Sequence, residues 1–545
     1  MSATTSRPSA PSPDAGAGRE RPWHAAWPAH VPRCLEYPSV PAWWLLERNV
    51  ADWGTRIAIR DLDHGLSERR QLTYETLFRA VRGTATGLQK HGVTPGTRVG
   101  FCLPNGSELV IGYYATWYCG GIVVPGNPQA RESELEQQLD DAGISVLVGP
   151  AGSTAERLAE RRGRTFLSAG EFGAMQSLPP ASPAAGAPDD VAVLLYTGGT
   201  TGAPKGAMLT HRNIVTNTIQ FGRWYAFEPG GETAVCAIPM YHSGGMSGVM
   251  NVPLSAAATL LVFPRFHAAS IATAVGRYRV TRLFGVPTMF IALLEDEAGR
   301  GADYTSLRAC RTNAAPLPPA VKAAFDGLVG REVLVEGYGL TETSPLTHAN
   351  PITRAKPGSI GVPLCDTDAR IVDLETGRDV AAGAPGELLI RGPQVMKGYW
   401  QRPEATSQAI SDGWFRTGDV ATMDGDGYFA IVDRKKDVIN TAGFKVWPRE
   451  VEETLYCHPA VKLAAVVGVP DSYRGEAVKA YVVLKDEHRG RLSERDVIEF
   501  CRERLTAYKA PRIVDFRDEL PVSGAGKMLR RLLREGEGAE TQPRA

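Results

Sequence analysis

Residues 196–206 read YTGGTTGAPKG and follow directly on the apolar run 191–195. Glycine at Gly198, Gly199 and Gly202 permits tight turns and lets backbone N–H groups close on an anion. The hydroxyls of Thr197, Thr200 and Thr201 add donors, and Lys205 adds a point charge for a β or γ phosphate. Read alone, such a segment is also what a flexible connection looks like. Its density of threonine and its place at the end of a buried strand favour a phosphate cradle. It is not a Walker A loop, which needs Gly-Lys-Ser/Thr in sequence, because Pro204 precedes the lysine and Gly206 follows it.

Outward from this loop, strand-like and helical patterns alternate. Residues 98–103, 144–149 and 191–196 read as buried strands, and 72–91 and 131–142 as helices between them. This alternation predicts α/β layers with largely parallel sheets. The segment 181–190 (ASPAAGAPDD) is a linker-like break before the glycine loop. Residues 369–373 and 386–391 flank Thr376-Gly377 as a hairpin. Near Asp433 the character changes to a smaller strand–helix unit. There Pro448 opens a helix over 448–457, and Ser493 with Asp496 forms a capping box for a helix ending near Leu505. The expected organisation is a large domain over 23–433, a small α+β domain over 434–535, and disordered tails at 1–22 and 536–545.

The chain of 545 residues is too long for one ordinary domain. Lys plus Arg equals Asp plus Glu, 60 against 60, so no global pull toward nucleic acid or anionic membrane exists. The cysteines form no C-x-x-C pair, which signals neither zinc nor a disulfide framework and suits a cytoplasmic protein. No apolar run approaches the roughly eighteen residues of an integral membrane segment, and residues 1–20 lack a secretory h-region.

Four further stretches carry chemistry. Residues 336–343 read EGYGLTET after a strand at 333–335; in isolation they make a turn with a surface acid. Residues 414–420 read WFRTGDV, where Asp419 could simply cap a turn. Residues 239–246 read PMYHSGGM and hold His242, and an isolated histidine is more often structural than catalytic. Residues 521–531 read PVSGAGKMLRR, a small-residue loop able to deliver the ammonium of Lys527 into a cleft.

Together these motifs, in this order, resemble the adenylate-forming superfamily, which includes acyl-CoA synthetases, luciferases and the adenylation domains of peptide synthetases. The resemblance covers nearly the whole chain. The contexts YGLTETSPLTHANP and GFKVWPREVEETLYCHP look most like bacterial medium- and long-chain fatty acyl-CoA synthetases. It implies ATP, Mg²⁺ and coenzyme A as cofactor and co-substrates. It also implies a β-barrel-like subdomain in the large domain and a mobile small domain. The loop Thr197 to Gly202 with Lys205 would hold phosphates. Tyr338 would stack on adenine, with Ala314, Glu336, Gly337, Gly339 and Thr341 around the nucleotide. Glu342 would hold Mg²⁺, which prefers one or two carboxylates plus phosphate oxygens. Asp419 would accept both ribose hydroxyls, and Arg434 would make a second ribose or phosphate contact. Lys527 would bridge carboxylate and α-phosphate where charge builds in the transition state. His242 would position the carboxylate and gate the acyl pocket. Lys436 matches the hinge about which the small domain turns between half-reactions. Gly443, Phe444 and Lys445 would then meet CoA, and Arg265 stands where some relatives carry a CoA-contacting lysine. Many CoA ligases have lysines at the positions of Asn440 and Ala442, and this chain does not.

By the same resemblance, the acyl pocket draws on the segments around His242, 284–290, 312–317 and 337–339. Ser243, Gly244 and Gly245 leave room there, while Val286, Met289 and Phe290 are apolar or belong to an ordinary helix core. Asn313 replaces a small residue and either narrows the pocket or hydrogen-bonds an oxygenated substrate. These segments hold no cation or acid that would read an amino acid's ammonium, so a hydrophobic acid is expected. The resulting expectation is an ATP-dependent acid–CoA ligase acting on a medium- or long-chain fatty acid. The alternatives are loading of a carrier protein, a cyclic or terpenoid acid, and a silent nucleotide binder; retention of Lys205, Glu342, Asp419, Arg434 and Lys527 opposes the last. Partners are a small carboxylic acid and CoA, with no nucleic acid; a homodimer is compatible with the sequence.

Overall fold

The computed structural model describes residues 20–197, 204–521, 528–530 and 532–534. The expected tails therefore fall almost wholly outside the described residues, as do Gly198 to Gly202 and Lys527. Arg21 and Pro22, at the edge of the expected N-terminal tail, are described: Arg21 pairs with Asp368 at 2.6 Å, and Pro22 opens a short 3₁₀ turn whose Trp23 is buried.

Two layered sheets build the bulk of the chain. One has seven strands in the order Gly398–Tyr399, Lys205–Thr210, Val191–Thr197, Ile122–Pro125, Arg98–Phe101, Val146–Gly149 and Thr165–Ser168. The other has nine, running from Val362–Pro363 through Leu346–Ala349, Leu334–Gly339, Ala309–Thr312, Arg282–Gly285, Thr233–Cys236, Thr259–Val262 and Ile57–Leu62 to Glu68–Thr73. Their central strands are parallel and buried throughout, as parallel strands covered by helices must be. A five-stranded antiparallel sheet spanning Asp368–Val372 to Phe429–Arg434 follows, and it contains the expected hairpin, with Asp368 opposite Arg391. A second five-stranded sheet, from Ile439–Thr441 to Ile513–Phe516, forms the C-terminal domain with its own apolar core.

The helices follow their sequence signals. Tyr74–Lys90 begins two residues later than expected because Leu72 and Thr73 pair with Ile59 and Ile57 in the edge of the nine-stranded sheet. Thr73 then caps the helix, its hydroxyl accepting from Thr76 N. Pro448–Tyr456 starts at proline, and Glu494–Arg502 starts at the expected Ser493–Asp496 box. Ser107–Tyr118 is buried along almost its whole length and packs against the helix Tyr74–Lys90 and against strands of both sheets, as a mostly apolar helix must. Among the described residues no helix is long and apolar enough to cross a membrane.

One buried ion pair ties the nine-stranded sheet together. Arg282 lies 2.6 Å from Glu232, with side-chain exposures of 3% and 0%. The same guanidinium donates to the carbonyls of Tyr225 at 2.8 Å and Ala226 at 3.0 Å. Removing one partner of such a pair leaves an uncompensated charge and costs about 3–5 kcal/mol. Arg282→Met is therefore expected to lower the urea midpoint with little change in slope, as read by circular dichroism.

Candidate active site

The site forms where parallel strands end. Ala309–Thr312 and Leu334–Gly339 run parallel with Thr312 opposite Glu336. Their carboxyl ends deliver Asn313 and Ala314 beside Gly337 and Tyr338, at the edge where α/β sheets bind ligands. Ala314 sits at φ +74, a left-handed conformation uncommon for alanine. Gly339 is forced to be glycine, since a Cβ there would stand 1.8 Å from the Pro345 carbonyl oxygen.

At the end that holds Lys205, Val191–Thr197 pairs antiparallel with Lys205–Thr210, and Thr197 is opposite Lys205. The strand Gly398–Tyr399 adds to this ladder, with Tyr399 opposite Ala207. Tyr399 then joins two groups of opposite charge. The Lys205 ammonium lies 5.2 Å above its ring, and its hydroxyl donates to Glu342 Oε1 at 2.9 Å. Glu342 is 9% exposed on the 3₁₀ turn Thr341–Thr343. One of its carboxylate oxygens is thus fixed by the phenol and the second is free of that bond, which fits a single carboxylate donor to Mg²⁺ beside phosphate oxygens. Tyr399 was not among the sequence candidates. The Gly398-Tyr399-Trp400 stretch carries no chemical signature of its own, and only the pairing with Ala207 brings it to Lys205.

At the other end, Asp419 and Arg434 are cross-strand partners. Arg434 Nε lies 3.1 Å from Asp419 Oδ1, and the Tyr338 hydroxyl donates to Oδ2. Asp419 is 4% exposed, and these two partners meet both of its carboxylate oxygens. Glu387, on the neighbouring strand, receives Arg416 at 2.7 Å and Lys435 at 3.1 Å. Lys205, Tyr399, Glu387, Arg416, Thr417 and Lys435 line one open cleft of about 330 Å³.

The acyl-side candidates divide. His242 packs its ring 4.7 Å from that of Tyr241 and leads into a π-helix at Gly245–Asn251, a form frequent at functional sites. A Cβ on Gly244 would meet only the Asn313 amide nitrogen, at 3.9 Å. Gly245 makes no room: a Cβ there would stand 1.9 Å from the Pro239 carbonyl oxygen, so backbone packing requires it. Val286 precedes the helix Pro287–Glu295, its N–H donating to Met289 Sδ at 3.4 Å. Met289 and Phe290 belong to the apolar cluster around Leu293 and Phe325, and Phe290 meets Phe325 edge-on at 5.0 Å.

The CoA-side candidates are exposed and lie on separate elements. Ala442 and Gly443, at φ +50 and +83, form the two-residue turn between Ile439–Thr441 and Phe444–Val446, where both central residues need positive φ. Phe444 stacks on Tyr508 at 4.6 Å, and Lys445 pairs with Glu375 at 2.9 Å. Arg265 donates to His64 at 3.4 Å on the nine-stranded sheet side. Lys436 lies in the 3₁₀ turn Lys435–Asp437. Lys527 lies outside the described residues; of its flanks, Leu529 N donates to Pro521 O at 2.8 Å.

Burial pushes the Glu336 carboxyl up to about 7, against the pull of Arg449. Its ordinary value is near 4.5, so the folded state binds the proton more tightly than the unfolded state. The penalty is absent below about 4.5, grows as pH rises to about 7, and then stays constant near 3 kcal/mol. Glu336→Gln removes the ionisation while keeping an acceptor for Leu317 N, 3.2 Å away. The variant is expected to be more stable than wild type near pH 8, with the advantage vanishing toward pH 5, in urea unfolding at both pH values.

With this geometry in place, comparisons identify the family. The AMP-binding enzyme family matches residues 46–400, and the AMP-binding enzyme C-terminal domain matches 450–527. The long-chain-fatty-acid–CoA ligase of Bacillus subtilis (strain 168) is 38% identical, aligned over 95% of this chain and 98% of its own. The feruloyl-CoA synthase of an Amycolatopsis species is 40% identical over 84% of this chain and 92% of its own. The crystal structure of ATP-bound MatB from Rhodopseudomonas palustris superposes with a TM-score of 0.85 at 30% identity, covering 92% of this chain and 99% of that one. This chain therefore belongs to the AMP-binding enzyme family.

Proposed function

We propose that this chain is an AMP-forming acid–CoA ligase that activates a hydrophobic carboxylic acid, with a medium- or long-chain fatty acid as the first choice. The observation that carries the reading is a pair of fixed clusters at the edge of the cleft that Lys205, Tyr399, Thr417 and Lys435 line. Lys205, Tyr399 and Glu342 form one cluster, and Tyr338, Asp419 and Arg434 the other. In the first half-reaction the carboxylate attacks the α-phosphorus of ATP, and the bond to pyrophosphate breaks. Lys205 and the loop before it neutralise the β and γ phosphates, and Glu342 is the ligand for Mg²⁺, which supplies charge neutralisation on the phosphates when bound. Asp419 accepts the ribose hydroxyls, while Tyr338 lies against the adenine. Lys527 bridges the attacking carboxylate and the α-phosphate, where preorganised charge acts on the transition state. In the second half-reaction the CoA thiolate attacks the acyl carbon, and AMP leaves.

This reading divides the chain into a large domain to about residue 433 and a small one beyond it, joined at Lys436. Gly443, Phe444, Lys445 and Arg265 serve CoA after rotation, and His242 gates the acyl site. CoA is favoured over a carrier protein because the curated relatives named above are a CoA ligase and a CoA synthase. Dependence on ATP and CoA supports action in the cytoplasm, and a homodimer would hold two independent sites.

The defining experiment incubates the full chain with ATP, CoA and a panel of acids, scoring AMP by chromatography and thioester by mass spectrometry. AMP with no thioester for any acid would turn the reading to a carrier protein. In the same assay Lys527→Ala is expected to lose pyrophosphate release by about a hundredfold or more, on the scale of removing one transition-state donor, yet to convert supplied acyl-adenylate with CoA. Equal loss of both steps would refute its role. Lys436→Pro is expected to spare pyrophosphate release and slow thioester formation; unchanged overall turnover would remove the hinge.

A further inference from the structure

Two buried arginines occupy neighbouring strands of the nine-stranded sheet, and they are treated differently. Arg282 is satisfied by Glu232 and two carbonyls. Arg311 is 0% exposed, and its Nε, Nη1 and Nη2 have no hydrogen-bond partner among the described residues. Its guanidinium lies 4.4 Å over the Phe221 ring and 5.4 Å over that of Phe284. The Tyr225 hydroxyl, also buried, lacks a partner too. Burial pushes the Arg311 pKa down to about 10, opposed by Tyr225.

Magnitudes decide what this means. Two desolvated cation–π contacts return about 2 kcal/mol each. Five buried N–H groups left unmade cost about 1–3 kcal/mol apiece, and an unpaired buried charge costs several more. The aromatic faces alone do not offset that, so the site has room in its energetics for an acceptor beyond the described residues.

The position of Arg311 says which acceptor. It lies in the strand Ala309–Thr312, which ends just before Asn313, and two residues of extended chain set it about 7 Å deeper than Asn313. The chain segment opposite keeps the same order. Gly244 stands across from the Asn313 amide, and Gly248, four residues on, has its Cβ position 3.2 Å from Arg311 Nη2. Gly337, beside Tyr338, approaches the Arg311 side chain on the other flank, its Cβ position 3.5 Å from Cδ. A line from His242 past Gly244 and Asn313 therefore ends on Arg311. The segments expected to line the acyl pocket began at Thr312, one residue short of this cation.

We propose that Arg311 is a specificity-determining residue at the blind end of the acyl site, selecting acids whose far end carries an oxygen acceptor, a second carboxylate or a phenolic oxygen. This rests on the reading that the cleft activates a carboxylic acid, and it narrows that acid from a plain fatty chain to one with an oxygenated terminus. Asn313 supplies a further donor along the way.

The test compares wild type, Arg311→Met and Arg311→Lys by kcat/KM for thioester formation, together with thermal midpoints. The substrates are two matched pairs: a straight-chain monocarboxylic acid with its α,ω-dicarboxylic counterpart, and 3-phenylpropenoic acid with its 4-hydroxy derivative. Wild type is expected to favour the oxygenated member of one pair by at least about tenfold, since a site with buried donors rejects the analogue that leaves them unpaired. Which pair responds separates carboxylate from phenol. Arg311→Met is expected to reverse the preference and raise the midpoint, and Arg311→Lys to restore it in part for the dicarboxylic acid. Equal or opposite preference by wild type in both pairs would overturn the proposal and leave the ligase reading intact. A proportionate loss on all four acids in Arg311→Met, with a lowered midpoint, marks a structural arginine and also overturns it. No AMP from wild type with any acid would remove both readings.

Discussion

The antiparallel pairing of Val191–Thr197 with Lys205–Thr210 is the constraint from which the rest of the site descends. It places Thr197 opposite Lys205 and so fixes the ends of the glycine-rich segment between them. It also offers an edge to Gly398–Tyr399, which carries Tyr399 over Lys205 and onto Glu342. A segment nearly two hundred residues downstream is thereby held against Lys205 by backbone hydrogen bonds and by the Tyr399 side chain. Two residues of pairing suffice because Met396 N, just before them, is bonded to the Glu342 carbonyl at 2.8 Å.

Opposed to this fixed end is one governed by side-chain charge. Asp419 is almost fully buried yet keeps two partners, an arginine across the ladder and a phenol from another sheet. The arginine belongs to the antiparallel sheet and the phenol to the nine-stranded sheet, so both contacts are made only when the two sheets are docked. Assembly of the tertiary structure and assembly of this cluster are then the same event.

What could be read beforehand follows from the range of the forces involved. Strands 191–197 and 146–149 and the helix at Pro448 were legible because burial pattern and proline chemistry act over a few residues. Asp419 and Arg434 were legible as motif members, although their direct pairing depends on the cross-strand register. Tyr399 was not, because nothing near it in sequence announces a contact made through another strand. Gly245 illustrates a different limit: glycine signals both open space and close backbone approach, and only the 1.9 Å approach to Pro239 O separates them. Arg311 hid for a third reason. A lone arginine in a strand ordinarily reads as an exposed position, and its complete burial without a counter-ion is a property of the packed sheet and its helices.

The arm near the C-terminus has a mechanical consequence. Asp437, next to Lys436, holds Arg534 at 3.0 Å and Arg530 at 3.4 Å, and Arg530 is locked a second time to Glu452 at 2.6 Å. Pro521 and Leu529 are tied to each other as well, Leu529 N donating to Pro521 O. The turn at 435–437 and the residues at 530 and 534 are thus joined through one carboxylate, and a rotation of either is carried to the other through the guanidinium clamp, as a crank carries it.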